Sequence, residues 1–140
     1  MTDDEFKTNC YELWYDDVIF GDVDDLEGKL CRLELFVESI EHVDPFEFLE
    51  DITWSDLREK YNVSGLQYIS GVKREPGSLS YVGQPIIMVE SDKYDCHIPP
   101  DVYGGDHLVV YGEIIHATHN GWTGYNYIIF TPRILTNYGQ

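Results

Sequence analysis

The chain predicts a mainly β fold with a minor helical part, arranged as a five-stranded barrel in a single domain over residues 1–140. Three observations carry this. Residues 84–135 divide into short runs rich in β-branched and aromatic side chains, separated by turn residues. In residues 30–38, Cys31, Leu33, Leu35 and Val37 share one face and Arg32, Glu34 and Glu38 the other, the two-residue period of a half-buried strand. Helical spacing is confined to the N-terminal segment and a short stretch near residues 45–60.

The elements follow in order. Thr2-Asp3-Asp4-Glu5 has the spacing of a capping box, and Phe6, Cys10, Leu13, Trp14 and Val18 recur at three- and four-residue intervals. This predicts an amphipathic helix over residues 3–19, within an N-terminal segment 1–20 that docks its apolar stripe on the barrel. Gly21 ends it, and residues 22–27 form an acidic connector. The first long strand covers residues 29–43. Its phase fades near Ser39, which predicts a bulge of the kind that lets small barrels close. Asp44-Pro45 is an N-cap with proline at the first helical position, so a helix over 45–50 is expected, with a second helical turn at 55–60. A minor hairpin of residues 66–74 and 79–82 would complete a helix-containing insertion, 44–83, after the first barrel strand.

Residues 85–90 and 93–98 read as a hairpin across Ser91-Asp92, and Pro99-Pro100 then stops strand pairing. The turn Gly104-Gly105-Asp106 leads into a strand over 107–117, and Asn120-Gly121-Trp122-Thr123-Gly124 is a hairpin tip. The return strand is 125–135, with Pro132 marking an edge or a bulge.

Charge is the strongest compositional signal. The chain has 26 acidic and 9 basic residues, a net of −17. Residues 1–60 carry −14 of this and residues 61–140 only −3, whereas a salt-adapted protein would spread carboxylates over every exposed face. No run approaches the roughly 20 apolar residues that cross a bilayer, and the N-terminus is acidic where a signal peptide is basic. The expectation is a cytoplasmic protein with no membrane partner. Cys10, Cys31 and Cys96 are odd in number and include no CxxC pair, so reduced thiols are expected rather than a disulfide framework.

No nucleophile motif, phosphate-cradling glycine loop or Walker lysine is present, and abundant carboxylates alone nominate no general acid or base. An enzyme is not expected, nor is a cofactor. His116 and His119 with Cys96, His97 and His107 lack the spacing of a zinc site and read as polar surface histidines.

Two segments, FGDVDDLEGKLCRLELFVESI and YDCHIPPDVYGGDHLVVYGEI, the second containing Gly105-Asp106 and then Gly112, resemble the OB-fold. The likeness is to the small single-domain proteins of tRNA-anticodon-binding type. It implies a Greek-key barrel that binds through the faces of strands two and three and through the loops joining strands one to two and four to five. Those loops would be residues 44–83 and 120–124. The aromatics placed on such a face or its rim are Tyr94, Tyr111, Trp122, Tyr125 and Tyr127, with Trp54 in the insertion. The expected function is a non-catalytic binding module that engages a protein or a nucleic acid. A protein is the expected partner, because −17 opposes binding of single-stranded nucleic acid. The alternative is an acidic, immunity-type inhibitor that mimics nucleic acid and blocks a nucleic-acid-binding partner. Its surface would comprise Asp22, Asp24, Asp25, Glu27, Glu50, Asp51 and Asp56.

Overall fold

A computed structural model describes residues 1–13, 15–41, 54–61, 63–72, 86–119 and 126–140. Helix α1 (Asp3–Thr8) starts where the Thr2 hydroxyl accepts from the Glu5 amide at 3.2 Å, as the capping spacing predicts. It stops at Asn9, whose side chain donates to the Glu5 carbonyl at 2.9 Å. The expected helix over 3–19 is therefore broken. Tyr11–Leu13 form a short strand, β1, parallel to Cys31–Leu33, and helix resumes only as α2 (Tyr15–Phe20). Pairing with a neighbouring strand overrides the helical spacing, because an intrinsic preference of a few tenths of a kcal/mol per residue is a weak constraint. In the acidic connector, α3 (Val23–Leu26) is capped by Asp22, whose carboxylate accepts from the Asp24 amide at 3.0 Å. Val18 and Leu26 carry α2 and α3 into the core.

The long strands are β2 (Leu30–Glu41), β3 (Val63–Val72), β4 (Ile86–Ser91), β5 (His107–His119) and β6 (Asn126–Asn137), with helix α4 (Trp54–Tyr61) before β3. They form one mixed sheet of order β1-β2-β3-β4-β6-β5, and β2 pairs additionally with β5. Strand β2 is antiparallel to β5 along residues 30–36 and to β3 along residues 36–41. Its register shifts between Val37 and Ser39, where the hydrophobic phase fades. Cys31, Leu33, Leu35 and Val37 enter the core as expected, and meet Met88, Leu108, Val110, Ile114, Ile128 and Phe130.

Two sequence-based expectations are corrected here. Residues 93–98 are not a strand, since β4 already has β3 on one side and β6 on the other, leaving no free edge. That segment is instead a loop. Its Ile98 amide donates to the Glu90 carboxylate at 2.6 Å, and Ile98 and Val102 plug the core. Residues 44–83 are not an insertion between neighbouring barrel strands, because they contain β3, which ladders to both β2 and β4. Ser64, Gly65, Gln67, Ser70 and Gly71 deprive β3 of a two-residue hydrophobic period, so its role shows only in its pairing. The expected helix over 45–50 and strand over 79–82 lie outside the described residues.

Proline 132 does mark a bulge. Tyr111 pairs with Ile134 and Gly112 with Pro132, so Arg133 is the extra residue of β6. No described helix is long and apolar enough to cross a membrane.

Candidate functional site

Alternation along β2 and β5 sends Arg32, Glu34 and Phe36, and His107, Tyr111 and Glu113, to the side opposite the core. The register places Arg32 against Tyr111 and Phe36 against His107. One end of this outer face is a row of rings. Phe36 stacks on His107 with centroids 4.9 Å apart and planes 22° apart, and His107 meets Tyr138 at 5.5 Å. A charged row runs beside it. Arg32 Nη1 lies 2.7 Å from Glu12 on β1 and 3.7 Å from Glu34, whose other oxygen is 2.8 Å from His107 Nε2.

Helix α1 covers the other end. Phe6 is 1% exposed, set edge-on to Tyr94 at 5.5 Å and under the Arg133 guanidinium at 4.7 Å. The bulge in β6 is what delivers Arg133 to this spot. Arg133 also donates to the Met1 carbonyl, and its Nε lies 3.5 Å from Asp3. The Tyr94 hydroxyl donates to Glu113 at 2.7 Å, and Lys93 Nζ meets the same oxygen at 2.7 Å. Burial first, then the bond to Glu113, pushes the Tyr94 hydroxyl above its ordinary range. Lys7 sits 5.3 Å above the Tyr111 ring. A cleft of about 470 Å³ opens between Met1, Asp3, Lys93, Tyr94, Asp95 and Arg133.

The structure thus brings Tyr94 and Tyr111 to one face, where both are partly buried and already in contact with side chains of their own chain. Tyr127 is corrected: it is 6% exposed and buried in the sheet, so it is no surface platform. Trp54 opens α4, on which Asp56 is exposed. Trp122, Tyr125, Glu50 and Asp51 lie outside the described residues. Asp22, Asp24, Asp25 and Glu27 are exposed around α3. Two of them have structural work, Asp22 as the cap and Glu27 opposite His116 at 3.3 Å. Sequence reasoning missed the Phe36–His107–Tyr138 row, because only the pairing register sets these rings side by side.

Among the described residues no His, Cys, Asp and Glu group is arranged to hold a metal. The thiols of Cys10, Cys31 and Cys96 are free, and burial raises each above its ordinary value, most strongly for Cys31. Thiols held protonated in this way are poor nucleophiles. A scan against family models, a search of curated proteins and a search of solved structures each gave no match.

Proposed function

We propose that this chain is a non-catalytic binding module of OB type whose partner is a protein, engaged through the connections from β2 to β3 and from β5 to β6. The strand pairings support the barrel. With the additional β2–β5 ladder, each of the five long strands has two neighbours in the cycle β2-β3-β4-β6-β5, and the β4–β6 ladder is parallel. That connectivity fits a five-stranded Greek-key barrel, in which those two connections are the binding loops.

The observation that carries the choice of a protein is the state of the cations. Arg32, Lys93 and Arg133 are paired with carboxylates of their own chain. Lys7 and Lys29 lie over the rings of Tyr111 and Tyr11. Phosphate binding needs cations free to displace condensed counterions, and these five of the nine basic residues are engaged, while Arg58 and Lys60 are exposed on α4 among the acids of a chain of net −17. Trp54 and Trp122, one on each connection, are the anchors expected at such an interface, where buried aromatics dominate the affinity.

The test is capture of partners from the native lysate by the whole chain, repeated with Trp54→Ala and Trp122→Ala once circular dichroism shows that both fold. Loss of about 2 kcal/mol, roughly thirtyfold in affinity, is expected at an anchor. If both variants keep every partner while Asp22→Asn, Asp24→Asn, Asp25→Asn and Glu27→Gln together release them, the acidic α3 surface is the site. The protein is then the nucleic-acid mimic.

A further inference from the structure

We propose that the stacked rings of Phe36, His107 and Tyr138 form a second binding site, which receives an arginine side chain of a basic protein partner. The rings are not core. Phe36 sits between the buried Leu35 and Val37 and therefore faces outward, and Tyr138 is 65% exposed. The row spans β2, the start of β5 and the residue just past β6, so three separate backbone segments supply it.

It is also held in place before any ligand arrives. The Tyr138 amide donates to the His107 carbonyl, and the His107 amide to the Gly139 carbonyl, each at 2.9 Å. The Asn137 side chain accepts from the Gly139 amide at 2.8 Å, and Glu34 holds the His107 ring at 2.8 Å. A platform fixed in this way loses little conformational freedom on binding.

Its chemistry selects the occupant. An exposed ring face attracts a planar partner, and guanidinium, nucleobase and aromatic side chains all qualify. Charge separates them: Glu34 and Glu12 flank the platform and share the single cation Arg32, which among the described residues leaves a local excess of one negative charge, on a chain of net −17. A nucleobase brings its phosphate into that field, whereas guanidinium is drawn by both the field and the ring quadrupole. Lysine is drawn by the field and by the ring face as well, but its compact ammonium cannot stack flat and gains less from the contact. This inference rests on the reading of the partner as a protein, though not on the two connections as its seat.

The experiment is an NMR titration of the isotope-labelled chain with the blocked tripeptides Gly-Arg-Gly and Gly-Lys-Gly. Saturable shifts at the ring resonances of Phe36, His107 and Tyr138 are expected with the arginine peptide, at about fivefold higher affinity than with the lysine peptide. Tyr138→Ala, a change at an exposed position, should remove that preference, and Trp122→Ala should leave it intact. Equal affinity of the two peptides, shifts centred on α3, or a preference that survives Tyr138→Ala would overturn the assignment. Because Trp122→Ala is read in both experiments, loss of the loop interface and loss of the arginine site are scored separately.

Discussion

Gly112 faces the core from β5 at a point where an added methyl would lie 2.1 Å from the Thr131 carbonyl oxygen and 2.8 Å from the Phe130 ring. The obstacle is partly backbone of the neighbouring strand, so it cannot swing aside. Gly112→Ala should cost about 2 kcal/mol or more, read as a lower midpoint in urea unfolding. Seven residues earlier the same motif begins with Gly105 at φ +91°, a backbone conformation that favours glycine. The Asp106 side chain, beside it, accepts from the Tyr103 amide at 2.8 Å and from Asn137 at 3.0 Å. These bonds, that of Tyr103 first, hold the carboxyl below its ordinary value. A carboxyl with a lowered folded pKa stabilises fully above its unfolded value of about 3.9 and loses that contribution as pH falls through the folded one. Melting temperatures measured from pH 6 to pH 2 should therefore fall less steeply for Asp106→Asn than for the natural chain. Parallel curves would show that Asp106 does not govern the acid limb.

At the scale of elements, β2 and α1 are informative in opposite ways. The two-residue period of β2 was legible because its inward residues are uniformly apolar, and Leu35, 0% exposed, sits among them. Leu35→Asp should abolish cooperative thermal unfolding, since an unpaired buried charge costs several kcal/mol. A retained transition would break the strand assignment. The N-terminal spacing was equally regular and yet misled, because residues 11–13 found a ladder beside β2 that a single sequence does not display. Helix α1 has only six residues, too few to persist alone in water, and Phe6 is its one buried residue. Phe6→Ala should release residues 3–8 as a unit. Hydrogen exchange would then rise in those amides while β5 and β6 stay protected. Uniform deprotection instead would make Phe6 part of the global core.

For the whole molecule, the mainly β character and most strand positions could be read from alternation and turn residues. The site was only partly legible. The sequence places Tyr94 and Tyr111 near the working face but cannot reveal that Glu113 and Lys7 already engage them. Nor does it reveal that the bulge at Pro132 turns Arg133 onto Phe6. Those are consequences of register, in which a one-residue shift moves a side chain to the opposite face. The same internal engagement of Lys7, Lys29, Arg32, Lys93 and Arg133, together with the net charge of −17, is the basis for reading the partner as a protein. Its most direct test is a fluorescence titration of labelled single-stranded DNA and RNA with the whole chain at physiological salt. The expected dissociation constant is no tighter than about 10⁻⁵ M, in the range of non-specific binding. Sub-micromolar binding that weakens steeply with added salt would contradict the account, because it would require free cations lining a continuous groove.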